Sequence, residues 1–532
     1  MRAARSIRAL FAMIVALGLA IPAQAAASQV QLATTGQLLR NDTGLYPRVI
    51  RLQHSGAANG QLIASVVGFD GGGNGAIYRS TNDGATFTQI GAVRDQAAPL
   101  GICCNSLFEL PKPIGAMPEG TLIWSVSIGQ DAPNRRMTIS LWQSQDHGVT
   151  WSFLSTCQNA PNTGGLWEPE VSVDTEGDLV CHYSDETDPA HSQKLVERFS
   201  SDGIHWSQVY PTVAPPAQGL RPGMAVVRRL GNGLFYMTYE ICGTGNQYDC
   251  AVHYRTSADG ANWGPPDDQG PLVRTATGQY FTHAATLAAA SNGRLLVVGQ
   301  QFREANGAIA TTSGRTVLVN TEGGGNWFPI NAPVAVDNPP NNYCPNYSSP
   351  LLPSTDGTRV LEIATAYDGT ICKPYYATGS AQGTQDSTGF GLVSGRTYRL
   401  INVLSAKCLD VSADSRVPGG NIQQWDCNGL GPQNFLFTQV SPGVFTLRGQ
   451  NSGLCVGVDG GGTAPGTNVS QWDCGGAAQQ WRPINEGDGY WSFRSASGNC
   501  LDVAGGSAQA GANVQQWTCN RLSPQIWKLE PR

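Results

Sequence analysis

Ser144-Gln145-Asp146-His147-Gly148-Val149-Thr150-Trp151 reads as a turn between two β-strands. Asp and Gly make the tight turn, and the closing aromatic residue anchors the hairpin. A near copy is Ser80-Thr81-Asn82-Asp83-Gly84-Ala85-Thr86-Phe87, shortened forms run from Ser200 to Trp206 and from Ser257 to Trp263, and a decayed one lies at Thr321 to Trp327. These residues build turns, so they count hairpins and say nothing about catalysis.

A second repeat lies out of phase with the turns. Six times an apolar strand opens after a polar residue, passes a Gly-containing turn and returns as a second strand, starting from Arg48, Asn105, Glu168, Arg221, His283 and Tyr347 at intervals of 53 to 64 residues. That is the length of one four-stranded propeller blade with its loops. The expectation is an all-β chain whose first part, residues 30–380, is a six-bladed β-propeller resembling the sialidase type. The first strand of each blade lines the channel, so the six residues are expected to converge on one mouth. Tyr183-Ser184-Asp185-Glu186 and Thr238-Tyr239-Glu240, which end the returning strands of blades three and four, are expected nearby.

The C-terminal part repeats three times. Cys408/Cys427, Cys455/Cys474 and Cys500/Cys519 are each 19 residues apart, and Gln433-Asn434-Phe435, Gln479-Gln480-Trp481 and Gln525-Ile526-Trp527 recur every 46. Lobes this small cannot bury their apolar faces alone, so they must share one core around a pseudo-threefold axis. The pattern resembles the ricin B-type β-trefoil, carbohydrate-binding module family 13, over residues 392–532. A Gly, Ser, Thr and Gln-rich stretch before it reads as a linker over 381–391.

Arg2, Arg5 and Arg8, an apolar run from Ala9 to Ile21 and the small-residue pattern Ala23-Gln24-Ala25 read as a signal peptide over residues 1–25, implying a secreted, extracellular protein. No later segment suggests a membrane span. A charge content of 14% and a net charge of -6 argue against nucleic-acid binding. The 14 cysteines of an exported chain are expected mostly in disulfides. Besides the three trefoil pairs, Cys157/Cys181, Cys242/Cys250 and Cys344/Cys372 can pair. Cys103 and Cys104 form either a vicinal bond or two separate ones. No CxxC pair has matching partners, so neither metal nor cofactor is expected, and the chain is expected to be a monomer.

Hydrolysis of a glycosidic bond needs two carboxyl groups about the anomeric carbon. Glu168, in Gly164-Gly165-Leu166-Trp167-Glu168-Pro169-Glu170, and Glu240 are the best pair, because adjacent blades bring them to one pocket. Glu170 points to the same side but deeper. The segments YPRVIRL, GICCNSLFELP, WEPE, HYSDETDPAHSQKLV, RPGM, MTYE and YCPNYSSPLL resemble those of glycoside hydrolase family 93, the exo-α-1,5-L-arabinanases. The resemblance implies a retaining enzyme releasing arabinobiose from the non-reducing end of arabinan, with Glu168 as acid/base and Glu240 as nucleophile. Around a neutral sugar, Arg48, Asn105, Arg221, Tyr239, His283 and Tyr347 would supply hydrogen bonds and Trp167 a stacking wall.

Two alternatives differ in chemistry. An exo-α-sialidase would need an arginine cluster, for which Arg48, Arg255 and Arg315 are the candidates, with Tyr347 as nucleophile and Asp70 as acid. A glycan-binding propeller would show no turnover. For the trefoil, the resemblance implies sugar binding by a carboxylate after the first Cys and an aromatic residue before the second. Asp410 with Trp425 and Asp502 with Trp517 meet it, whereas the second lobe keeps Trp472 but has Gly457 in place of the carboxylate.

Overall fold

The computed structural model describes residues 36–275, 277–291, 293–320, 327–381, 392, 394–441, 444–487, 490–520 and 522–532. The expected signal peptide, the decayed turn up to residue 326 and nearly all of the expected linker lie outside them. The described chain is all β, its only helices being three-residue 3-10 turns. None of these could cross a membrane.

Six antiparallel sheets follow in chain order. Blade one opens with strand Leu45–Arg51, blade two with Ile102–Glu109, blade three with Leu166–Val173, blade four with Arg221–Arg229, blade five with Thr286–Ala289 and blade six with Leu351–Pro353. Blade six takes its outermost strand from the start of the described chain, where Gln37 pairs with Tyr376 and Leu38 with Tyr375. The ring is thereby closed. Blade four gains a fifth strand, because Gln301–Arg303 pairs with Tyr280–Thr282 beyond its usual edge.

The apolar residues predicted to alternate along the strands fill the clefts between neighbouring blades. One such core joins Leu195 and Val213 of blade three to Ala225, Val227 and Met237 of blade four. Another joins Val49 and Leu62 of blade one to Leu361 and Ile363 of blade six. The turns hold as their residue types require. In the first, Ser144 Oγ donates to Asp146 at 2.8 Å, Asp146 accepts from the Thr150 amide at 2.9 Å, and the Trp151 indole donates to Gly148 O at 3.0 Å. Ser200/Asp202 and Ser257/Asp259 repeat the serine-to-aspartate bond.

The innermost strands share a feature that sequence periodicity does not show. The register of the first strand breaks between Leu45 and Arg48, Cys103 and Ser106, Trp167 and Glu170, and Gly223 and Val226. At each break one non-glycine residue has positive φ: Tyr46 at 48°, Cys104 at 66°, Glu168 at 51° and Met224 at 59°. Blades five and six carry the same conformation at His283 and Ala284 and at Asn346 and Ser348. Side chains other than Gly meet a steric penalty there, so such a bulge persists only where surrounding packing enforces it.

The C-terminal strands, from Arg396–Asn402 to Trp527–Pro531, enclose one core to which all three lobes contribute, among them Leu409, Val456, Leu501, Trp481 and Trp527. Three asparagines close a ring between the lobes: Asn421 donates to Asn513 at 3.0 Å, Asn513 to Asn468 at 2.8 Å and Asn468 to Asn421 at 3.0 Å.

All 14 cysteines are paired. In the propeller Cys103 bonds Cys104, and the other pairs are Cys157–Cys181, Cys242–Cys250 and Cys344–Cys372. Each trefoil lobe carries its own bridge, Cys408–Cys427, Cys455–Cys474 and Cys500–Cys519, as the spacing of 19 predicts. The two ends of each bridge differ in setting. Cys408, Cys455 and Cys500 open buried strands, whereas Cys427 and Cys474 are exposed and Cys519 is half-buried. The reason is local: each second cysteine lies two residues beyond the end of the returning strand, which closes at Trp425, Trp472 or Trp517, and so has left the sheet for the surface loop.

Candidate active site and lectin sites

Glu168 sits on the bulge of blade three, and the left-handed backbone there breaks the simple alternation of its strand. Its Oε2 accepts a hydrogen bond from Ser184 Oγ at 2.7 Å, and Ser184 in turn accepts from the Met224 amide at 3.2 Å. Glu240 lies on the second strand of blade four, Phe235–Cys242, and its Oε2 accepts from the Ala284 amide at 2.7 Å. Burial pushes Glu168 up to about 7, opposed by the Ser184 hydrogen bond and reinforced by the Glu186 charge. Burial pushes Glu240 up to about 8, the Ala284 amide opposing it and the charge of Glu168 adding to it. The two carboxyl groups therefore sense each other, and in the neutral range the pair holds a proton that two solvated carboxylates would have released.

Tyr347 lies near both. Burial raises its phenol, and both Glu240 and Glu168 add to the shift. Its ring meets Tyr46 edge-on with centroids 5.5 Å apart. His283, Glu240 and the Cys242–Cys250 bridge place their polar and sulfur atoms within 4.8 Å of one another. Both sulfurs are consumed by the disulfide, so one carboxylate and one imidazole remain, too few to hold a metal by themselves. Burial pushes the His283 imidazole down, which keeps it neutral.

A charged rim surrounds this centre. Arg221 donates to Glu186 at 2.5 Å, to Gln193 at 2.8 Å and to Ser192 Oγ at 2.8 Å. Glu186 accepts from the Gly165 amide at 3.0 Å, and the Arg135 guanidinium lies 5.0 Å above the half-buried Trp167 ring. Gly165 is required here, because a Cβ would overlap the Trp167 indole.

Three of the expected site residues have their polar groups engaged by the fold. Arg48 is buried within the channel, donating to Pro47 O at 2.7 Å and Ser348 O at 3.1 Å, so its donors close the backbone of blades one and six. Asn105 is fully buried and saturated, bonding Ser65 at 2.6 Å, Trp124 at 3.0 Å and Tyr46 O at 2.6 Å. Tyr239 neighbours Glu240 on the strand, so it faces the opposite side. It is buried between blades three and four, and its hydroxyl donates to Gln269 O at 2.8 Å. Glu170 takes the deep position expected for it, paired with Arg228 at 2.5 Å. Glu168, Trp167, Arg221, Glu240, His283 and Tyr347 do come together. Sequence reading assigned no role to Ser184 or Glu186, although both lie in the Tyr183-Ser184-Asp185-Glu186 segment; their spacing of two, which puts both on one face of the strand, was the available signal.

The arginines required by a sialidase do not converge. Arg255 is buried against the carbonyls of Thr212 and Trp263, and Arg315 pairs with Asp337 at 2.5 Å. Asp70 is engaged by Arg40 and Asn74. Fixed this way, none of them can grip a sugar carboxylate beside Tyr347.

In the trefoil, Asp410 accepts from Gln423 at 2.9 Å and Gln433 at 3.2 Å, and Asp502 accepts from Gln515 at 3.0 Å and Gln525 at 3.1 Å. Trp425 and Trp517, on the same strand pairs, are 43% and 42% exposed. The second lobe differs. Gly457 offers no carboxylate, and the half-buried Trp472 has its indole tied to Asp459 at 2.9 Å. Although Cys427, Cys474 and Cys519 come to the surface beside these tryptophans, they are not sugar ligands: their sulfurs are spent in the bridges that pin each loop to its strand.

Comparison with known proteins accords with this geometry. The family model of the ricin-type beta-trefoil lectin domain matches residues 396–527. The structure of a Penicillium chrysogenum α-L-arabinanase complexed with arabinobiose is 25% identical, with a TM-score of 0.55, and the match covers 65% of this chain and 98% of that one. The GH93 α-L-arabinofuranosidase of Fusarium graminearum with arabinobiose shares the fold at 21% identity and a TM-score of 0.54, covering 66% of this chain and 98% of its own. A comparison with curated proteins gives no match. The fold, the paired, half-buried carboxyl groups and these likenesses define a glycoside hydrolase. Its propeller is built like those of the family 93 arabinanases and arabinofuranosidases, and its C-terminal domain has the ricin-type β-trefoil fold.

Proposed function

We propose that the propeller is a retaining exo-α-1,5-L-arabinanase, releasing arabinobiose from the non-reducing end of linear arabinan. The observation that carries this reading is the pair Glu168 and Glu240, both half-buried, electrostatically coupled, and both close enough to Tyr347 to act on its phenol. Burial raises both carboxyls, so the coupled pair holds one proton in the neutral range; the resemblance to family 93 supports assigning it to Glu168, which donates to the departing glycosidic oxygen. Glu240, whose charged form the Ala284 amide stabilises, attacks the anomeric carbon and forms the glycosyl-enzyme bond. Water then displaces Glu240 while Glu168 takes its proton. Arg221, His283 and Tyr347 supply hydrogen bonds to the hydroxyls, and Trp167, held by Arg135, offers a stacking face.

The enzyme acts outside the cell as a monomer, tethered to polysaccharide by lobes one and three of the lectin. Seven disulfides suit an oxidising compartment. Incubation with debranched arabinan should yield arabinobiose as the first product, with the anomeric configuration retained by proton NMR. A larger first product, or the inverted anomer, overturns the assignment; release of sialic acid from a sialoside would replace it.

A further inference from the structure

Ser184 lies on the second strand of blade three, Leu179–Asp185, is completely buried, and bridges the two blades that carry the carboxyl pair. Its hydroxyl has one proton and two lone pairs. The Met224 amide can only donate, so it occupies a lone pair of Oγ at 3.2 Å. The serine proton then has Glu168 Oε2, at 2.7 Å, as its acceptor. A Cβ at Gly223 would overlap the Gln193 amide and reach van der Waals contact with Ser184 Oγ, so glycine keeps this approach open. Were Oε2 to carry the carboxyl proton, the serine proton would be left buried without an acceptor, an unfavourable arrangement.

We infer that Ser184 is a positioning residue for Glu168: it keeps Oε2 as an acceptor, so that the carboxyl proton resides on Oε1, the oxygen left to face the substrate. The inference rests on the reading of Glu168 as acid/base. The other groups facing Glu168 are Glu186 and Arg221 at the rim, Tyr46 and Arg48 from blade one, Glu240 from blade four and Tyr347 from blade six. The Met224 amide also lies against Glu168, and Ser184 is the side chain that donates directly to Oε2. Its bond favours the ionised carboxylate, so its loss must raise the Glu168 pKa.

The full-length Ser184→Ala protein tests this with two substrates. On arabinan, kcat should fall about 10- to 100-fold, part of the 10²–10⁴ that a placed acid contributes, with KM nearly unchanged. On an arabinobioside of 2,4-dinitrophenol, whose leaving group needs little protonation, the defect should largely vanish. The alkaline limb of kcat/KM should move to higher pH, and Ser184→Thr should restore it. Equal losses on both substrates, or an unmoved limb, overturn the inference. If the alanine protein does not fold, Ser184→Cys, a weaker donor, should show the same changes in smaller measure, and an unmoved limb in that variant counts against it equally. If the wild type cleaves neither substrate, the functional reading has failed on its own. Infrared titration of the Glu168 carboxyl in wild type and variant then decides the positioning role, an unshifted titration refuting it.

Discussion

The backbone N–H of Ala284 reaches from the entry of blade five to Glu240 of blade four and donates to its carboxylate at 2.7 Å. A backbone donor survives every side-chain change at its own position except to proline, and Ala284 is held at a φ of 51°, so the donor cannot turn away without moving the bulge. The carboxylate of Glu240 is therefore held in a set orientation by the fold itself.

That orientation makes amide variants clean tests. Glu240→Gln keeps an oxygen for the Ala284 amide, and Glu168→Gln keeps one for Ser184. Each variant should melt within a few degrees of wild type while losing about 10³-fold or more in kcat on linear arabinan, since each removes one proton-transfer or nucleophilic role. Activity within tenfold of wild type in either variant would show the wrong carboxylate has been chosen.

Glu362 tests the stability side of burial. It is fully buried in blade six, accepts one bond from the Val334 amide at 2.9 Å, and burial pushes it from 4.5 up to about 8. A raised folded-state pKa means the native protein holds a proton that the unfolded chain releases above about 4.5. Stability is therefore lost as pH climbs from about 4.5 toward 8. Glu362→Gln, which cannot ionise, should raise Tm at pH 8 to 9 and give no gain at pH 4; thermal melts across that range check the sign.

The lectin lobes should divide two to one. In a protein silenced by Glu168→Gln, Asp410→Ala together with Asp502→Ala should reduce calorimetric binding of polymeric galactan or arabinan at least tenfold, because a charge-assisted bond is lost in each open lobe. Trp472→Ala should change binding little. A polymer spanning both lobes should bind more tightly than the monosaccharide. Binding that survives the double aspartate change, or fails on the Trp472 change, would move the sites.

The asparagine ring predicts a cost at a place without any ligand. Asn421→Ala removes the donor to Asn513 and the acceptor of Asn468 at once, in partly buried surroundings. A loss of about 1 to 2 kcal/mol from the stability of the trefoil is expected. Asn421→Asp, which keeps an acceptor but faces the Asn513 carbonyl without a donor, should recover only part of it. Denaturant titration of both variants measures the difference.

The blade count and the carboxyl pair were legible because both are written in repeated spacing. The turn at Ser144 to Trp151 and the Cys and Gln-x-Trp spacings report local geometry that nearby residues enforce. Spacing gave the partners of Cys427, Cys474 and Cys519 but not their exposure, which depends on where each returning strand stops. The phase of the innermost strands was less legible still. Tyr46, Cys104 and Met224 carry the bulges, a few residues from the Arg48, Asn105 and Arg221 that periodicity selected, and nothing in a bulky residue announces a left-handed backbone. Asn105 shows the same difficulty in chemical form. A polar residue at the channel end of a strand reads as a site, yet its partners Ser65 and Tyr46 lie 40 and 59 residues away and use it up. Ser184 is the converse, an ordinary serine whose meaning depends on the amide of Met224 in another blade.

The pairing of Gln37 with Tyr376 fixes when this molecule can finish folding. Their side chains also bond, Tyr376 Oη to Gln37 at 3.0 Å, across a sequence separation of 339. Closing a flexible loop of that length costs about 5 kcal/mol in chain entropy, against small losses for hairpins within each blade. Five blades can thus form as local, low-contact-order units while the ring still gapes, and the seam at blade six zips last. Until then the strand Ile371–Ser380 is an unpaired edge, open to the strands of other chains, so the seam is where crowding and aggregation would first compete with the native partner.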